Sequence, residues 1–106
     1  YLRELKNPIL RLPEIREGAT HIWHQFVVQS GCREKLIDYL TDKEIGTIIH
    51  YPIPPHLSEA YRYLNIKKGS LPITEKYAET VLSLPLYNGM TEEEQEYVIE
   101  SINAFS

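Results

Sequence analysis

Cysteine is nearly absent from the 106-residue chain, where Cys32 stands alone. One thiol closes no internal bridge, so packing must hold the fold, and a reducing, cytoplasmic compartment is the expectation. Basic residues are scarce as well: eleven Lys and Arg face fifteen Asp and Glu, a formal net charge of −4. That sign excludes the clustered basic footprint of a nucleic-acid binder. No stretch approaches the roughly 18–20 uninterrupted apolar residues that a bilayer crossing needs. A Gly-rich phosphate loop, G-x-S-x-G, H-E-x-x-H and C-x-x-C are all missing, so no nucleotide, hydrolase, zincin or dithiol signature carries the function. What is present is a globular composition, 42% hydrophobic and 25% charged, with the core of one small domain.

Tyr1-Leu2-Arg3-Glu4-Leu5-Lys6 reads as the last turns of a helix stopped by Asn7-Pro8, since proline cannot continue a helical ladder. A chain that opens inside a helix is expected to be the C-terminal piece of a longer polypeptide. Leu10 to Thr20, broken by Pro13 and Gly18, reads as an irregular connection. His21 to Val28 is rich in β-formers, and alternation predicts Ile22, His24, Phe26 and Val28 on one face and Trp23 and Val27 on the other. Arg33 to about Glu44 is predicted helical, with Leu36, Ile37 and Leu40 on one side and Gly46 as the stop. Thr47 to Tyr51 reads as a strand running into Pro52-Ile53-Pro54-Pro55-His56, whose prolines make a stiff arm. Ser58 to Leu64 and Ile73 to Leu82 are predicted helices, and Lys67 to Ser70 a turn. Leu84 to Tyr87 is a strand demoted to an edge by Pro85. Thr91-Glu92-Glu93-Glu94 is a capping-box pattern opening a last helix that buries Val98, Ile102 and Phe105. Helices between short strands predict an α/β (α+β) domain, a small sheet covered by helices.

Four histidines raise a metal reading. His21 and His24 are three apart, which in a strand turns them to opposite faces, and no thiol or carboxylate cluster adjoins them. No metal site is expected; His24 is expected as a hydrogen-bonded core histidine and His21 as a strand-end residue. Cys32 after Gly31 is expected as a spectator thiol. The segment His50-Tyr51-Pro52-Ile53-Pro54-Pro55-His56 sets two imidazoles and a phenol on rigid backbone at a strand end, a common way to build a small-molecule site. A turn that merely ends the strand fits the same spacing.

The segments His21–Val28, Gly46–His56, Leu82–Tyr87 and Thr91–Glu94 together resemble the DegT/DnrJ/EryC1/StrS family, pyridoxal-phosphate aminotransferases acting on nucleotide-linked keto sugars. The resemblance runs from Tyr1 to Phe105, is most specific at HYPIPPH, and is closest in wording to the 3-aminotransferases of dTDP-3-keto-6-deoxyhexoses. It implies the small C-terminal domain of a fold-type-I aminotransferase, with a mostly antiparallel sheet. Residues 1–20 would be the end of an interdomain helix and its connection, and residues 21–106 the small domain. The large domain, with the Schiff-base lysine and the pyridoxal phosphate contacts, would lie outside this chain. None of Lys6, Lys35, Lys43, Lys67, Lys68 or Lys76 sits in the family's lysine motif, so no catalytic, cofactor or metal residue is assigned, and the isolated chain is expected to be inactive. The resemblance assigns a substrate wall: His56 as a hydrogen-bond donor to the sugar or its diphosphate, and Tyr51 as a shaping or stacking group. His50 is turned away by alternation. It implies glutamate as amino donor, a homodimer at full length, and a role in polysaccharide or deoxyaminosugar biosynthesis. A dehydratase on the same scaffold, or a stand-alone binding module, remains an alternative, as does a bracing role for Tyr51 and His56 at an interdomain hinge.

Overall fold

Leu82 is fully buried on a strand that is itself buried along its whole length. In a computed structural model describing residues 1–106, three strands form one antiparallel sheet in chain order: β1 (Leu10–Arg11), β2 (Phe26–Ser30) and β3 (Val81–Leu84). Leu10 pairs with Ser30, and Phe26, Val28 and Gln29 pair with Leu84, Leu82 and Val81. The outer side of β3 is met at one point, where Ile48 and Ser83 exchange both backbone hydrogen bonds at 3.2 and 2.8 Å. All four β3 residues are therefore buried, as befits a strand with neighbours on both edges. The helices are α1 (Arg33–Asp42), α2 (Pro72–Thr80) and α3 (Glu92–Ala104), with two 3-10 turns at Pro55–Leu57 and Glu59–Leu64.

Phe26 and Val28 of β2, Leu36 and Leu40 of α1, Leu82 and Leu84 of β3, and Val98, Ile99 and Ile102 of α3 make one core, joined by Leu5 and Ile45. Each fully buried aliphatic side chain contributes about 1.5–3 kcal/mol of transfer free energy. Both halves of the α3 capping box form: the Thr91 hydroxyl accepts from the Glu94 amide, and the Glu94 carboxylate accepts from the Thr91 amide. The predicted apolar face of α1 is also present, with Leu36 and Leu40 buried and Ile37 half-buried.

Several expectations are corrected. The strand expected over Thr47–Tyr51 is reduced to the single bridge at Ile48, the helical end expected at Tyr1–Lys6 is a turn, and the helix expected at Ser58–Leu64 is a 3-10 helix at Glu59–Leu64. The strand expected from His21 begins only at Phe26, because Trp23 adopts φ +51° and its amide donates to His21 Nδ1 at 2.9 Å. That local bond replaces a ladder bond, so Ile22 is 91% exposed and His24 is exposed rather than a core histidine. The connection expected from Leu10 to Thr20 carries strand β1 at its start. The helix expected to reach Leu82 ends at Thr80, and the strand expected at 84–87 is Val81–Leu84. Pro85 has no N–H for a ladder, whereas Val81 and Leu82 fill both faces of the sheet.

The stop of α1 falls at Glu44, not Gly46: Glu44 takes φ +59°. The Ile45 amide reaches back to the Leu40 carbonyl at 2.8 Å and the Glu44 amide to Thr41 at 2.9 Å. This is a Schellman closure with Ile45 and Leu40 as its apolar contact.

One polar side chain seals the C-terminal end of α2. Arg33, whose side chain is largely buried, donates through its guanidinium to the carbonyls of Ala78 at 2.6 Å and Val81 at 3.4 Å, where α2 passes into β3. A cation there also complements the helix dipole.

Candidate functional site

Tyr51 stands between two histidines that are each fastened to the body of the domain. On its N-terminal side, His50 Nδ1 is hydrogen-bonded to Ser83 Oγ at 2.9 Å, fixing the start of the arm to β3. On its C-terminal side, the stiff run Pro52-Ile53-Pro54-Pro55 leads to His56, whose side chain is only 4% exposed. His56 Nε2 donates to Glu75 Oε1 at 2.9 Å. The Tyr51 ring meets His50 edge-on at 5.6 Å and is otherwise 72% exposed. The arm thus carries an outward phenol on a backbone with few accessible conformations.

Glu75, in the first turn of α2, is the polar centre of this region. Besides His56 it accepts from the Gly69 amide at 2.8 and 2.9 Å and from the Leu71 amide at 3.5 Å. The His56 hydrogen bond, followed by those backbone amides, holds the Glu75 carboxyl below its ordinary range against the opposing effect of burial. A carboxylate there makes Nε2 the protonated nitrogen of His56. The other nitrogen, Nδ1, is buried without a partner.

A cleft of about 580 Å³ opens beside the sheet, between the 44–50 segment, β3 and the start of α3. His24, His50, Ser83, Tyr87, Glu94 and Tyr97 supply its polar groups, above apolar walls from Ile45, Leu84, Met90 and Val98. The Tyr87 hydroxyl donates to Glu94 Oε2 at 2.9 Å, and the Thr91 amide donates to the same oxygen. The Thr91 amide first, then the Tyr87 hydroxyl, holds the Glu94 carboxyl down; the same hydrogen bond pushes Tyr87 up. Nearby, Tyr1 donates to the Pro85 carbonyl at 2.8 Å and is pushed up to about 12, by burial first and then by Tyr87. Imidazole, hydroxyl and carboxylate over an apolar floor can orient a polar ligand through hydrogen bonds.

The structure brings His50, and not Tyr51 or His56, into this cleft. Strand alternation predicts His50 turned away from Tyr51, but no strand forms over 49–51 and the two rings meet edge-on; His50 Nδ1 faces Ser83. His56 faces Glu75 inside the domain, so its Nε2 is already engaged. Cys32 precedes α1, half-buried, 3.4 Å from Ser30 Oγ. No three His, Cys, Asp or Glu side chains converge in a way that would hold a metal ion, and no helix is long and apolar enough to cross a membrane. Glu75 escapes a reading of the sequence because its partners at His56 and Gly69 follow from no local spacing. Half of the Glu94 arrangement is legible in the Thr91-x-x-Glu94 box; the Tyr87 hydroxyl is not.

Of the six lysines, five are exposed, and Lys43 is half-buried with its Nζ 5.2 Å from the centre of the Tyr39 ring. None is desolvated in a cleft, as a Schiff-base amine requires.

A model of the DegT/DnrJ/EryC1/StrS aminotransferase family matches residues 1–103. The chain is 42% identical over 105 residues to the dTDP-3-amino-3,6-dideoxy-alpha-D-galactopyranose transaminase of Aneurinibacillus thermoaerophilus, covering 99% of this chain and 28% of that protein. Among solved structures, DesV of S. venezuelae, in complex with a ketimine intermediate, superposes with a TM-score of 0.87 at 35% identity, over 91% of this chain and 26% of that one. The Bacillus subtilis protein ntda, with bound cofactor PMP, gives a TM-score of 0.71 at 30% identity, over 90% of this chain and 22% of that one. The chain therefore spans little more than a quarter of the relatives it matches.

Proposed function

The chain belongs to the DegT/DnrJ/EryC1/StrS aminotransferase family, and from that premise we propose that it is the small C-terminal domain of a pyridoxal-phosphate-dependent sugar-nucleotide aminotransferase. The full-length enzyme transfers an amino group from glutamate to a nucleotide-linked keto sugar, as a cytoplasmic homodimer whose large N-terminal domain carries the cofactor. The observation that carries this reading is the 42% identity, over nearly the whole chain, with a transaminase named for a dTDP-linked 3-amino sugar.

The cofactor supplies the electron sink for amino transfer when bound. The residues of this chain do not by themselves fit that group, because no lysine is held in a desolvated pocket. The contribution of this chain is recognition. In the proposed enzyme Tyr51, exposed on its proline-stiffened arm, presents a ring and a hydroxyl to the sugar nucleotide. His56, expected at the same wall, stands behind it on Glu75.

The test is reduction of the cofactor-loaded full-length protein with borohydride, followed by mapping of the modified lysine. A modified lysine outside residues 1–106 is expected, together with no transamination by the 106-residue chain alone. Failure to retain the cofactor, or a modified lysine among Lys6, Lys35, Lys43, Lys67, Lys68 and Lys76, overturns the reading.

A further inference from the structure

Between Ile45 and Glu75 the chain makes a long excursion in which one residue alone, His56, is buried. Residues 59–71 are exposed throughout, and their regular structure is a single 3-10 turn. Such a segment has almost no apolar burial to offset the entropy of ordering it, about 1–2 kcal/mol per residue for the backbone alone. Its position therefore rests on a few specific contacts. Glu75 is placed to provide them. One oxygen receives the His56 imidazole from before the exposed 59–71 stretch, and the two oxygens receive the Gly69 amide from near its end, all within 2.9 Å. One carboxylate thus gathers both sides of that stretch onto the first turn of α2.

We infer that Glu75 and His56 form a positioning pair that fixes the Pro52–Pro55 arm and, through it, Tyr51. The arm transmits position because three of its four residues are proline, each with φ held near −65°. Its other end is pinned by His50 on Ser83, so Tyr51 is set from both sides by histidines that are themselves hydrogen-bonded to α2 and β3. His56 acts on a ligand through the arm, not by touching it. This deepens the proposed function and rests on it for the ligand, a nucleotide-linked sugar; the clasp itself rests only on the geometry.

The experiment uses the full-length protein with Glu75→Gln, His56→Asn and the double substitution. Amide hydrogen exchange is expected to accelerate on the order of tenfold across residues 57–71 in each single variant, as loss of one charge-assisted hydrogen bond implies. The double variant adds little more, because both changes break the same contact, and β2, α1 and α3 keep the parent rates. Unchanged exchange in 57–71, additive acceleration, or a uniform rise through β2, α1 and α3 each overturns the clasp. Alongside, KM for dTDP-3-amino-3,6-dideoxy-α-D-galactopyranose, assayed in the reverse direction, is expected to rise about tenfold in Glu75→Gln with kcat within twofold of the parent. Accelerated exchange with an unmoved KM upholds the clasp but overturns the placement of Tyr51 at the substrate wall. A protein that turns over no amino sugar at all overturns the proposed function while leaving the exchange result to stand or fall by itself.

Discussion

The side-chain amide of Asn7 donates to the backbone carbonyl of Ile102 at 2.7 Å, joining residues 95 positions apart in the sequence. The same nitrogen reaches the Phe105 carbonyl at 2.7 Å. The Lys6 amide donates to Asn103 Oδ1, and Asn103 returns a bond to the Glu4 carbonyl. The N-terminal segment thus binds the end of α3: Asn7 joins the Phe105 amide on the Ile102 carbonyl and bonds the Phe105 carbonyl just past the helix.

Asn7→Ala is accordingly expected to destabilise the fold by about 1–3 kcal/mol, the cost of losing two hydrogen bonds that tie the chain's ends together. Thermal unfolding of the variant checks it; a drop in Tm below about 2 °C would remove Asn7 from the closure of α3.

Glu44 occupies a left-handed position that glycine adopts without a Cβ penalty. Glu44→Gly relieves roughly 1–2 kcal/mol of backbone strain and loses about 0.5–1 kcal/mol to the greater freedom of the unfolded chain. A net gain of about 0.5–1 kcal/mol is expected in urea denaturation. A loss of stability would mean that the exposed Glu44 side chain makes a contribution larger than its conformation costs.

Acid sensitivity follows from Glu75. Its carboxyl titrates below the ordinary value of 4.5 in the folded protein, because of the His56 hydrogen bond and the Gly69 and Leu71 amides. A depressed folded-state pKa contributes stability that is present above the unfolded value and is lost as pH falls through the folded one. Denaturation midpoints are therefore expected to fall on acidification below about pH 4.5, and the fall is expected to be shallower in Glu75→Gln. Equal slopes in the two proteins would contradict the depressed carboxyl.

Tyr51 and Leu82 are expected to separate recognition from folding. Tyr51, largely exposed, is expected to lose less than about 0.5 kcal/mol of stability on Tyr51→Ala while KM for the sugar nucleotide rises in the full-length enzyme. Leu82, fully buried on β3, is expected to lose about 2–5 kcal/mol on Leu82→Ala. Unfolding curves and steady-state kinetics on the same two variants decide both; an unchanged KM in Tyr51→Ala removes it from the wall.

Local chemistry was legible where a residue and its partner lie within one turn. Thr91 and Glu94 satisfy each other's amides three residues apart, so α3 begins where the pattern places it. Leu36 and Leu40 repeat with the helical period and are both buried. The prolines at 52, 54 and 55 restrict the arm whatever surrounds it. The segments His21–Val28, Gly46–His56 and Leu82–Tyr87 likewise carried the family resemblance directly.

Tertiary structure decided what depends on a distant partner. Whether Val81 and Leu82 continue a helix or enter a strand is settled by β2 on one side and Ile48 on the other, and the local sequence suits either. His24 leaves the core because Trp23 turns the backbone before the strand begins. His56 faces inward because a carboxylate nineteen residues away receives it. Sequence by itself determined the family, the capping box of α3 and the stiff arm, all encoded in contiguous residues. The strand boundaries and the direction each histidine faces were settled only in the folded chain, since ladder partners and buried hydrogen-bonded pairs have no fixed spacing.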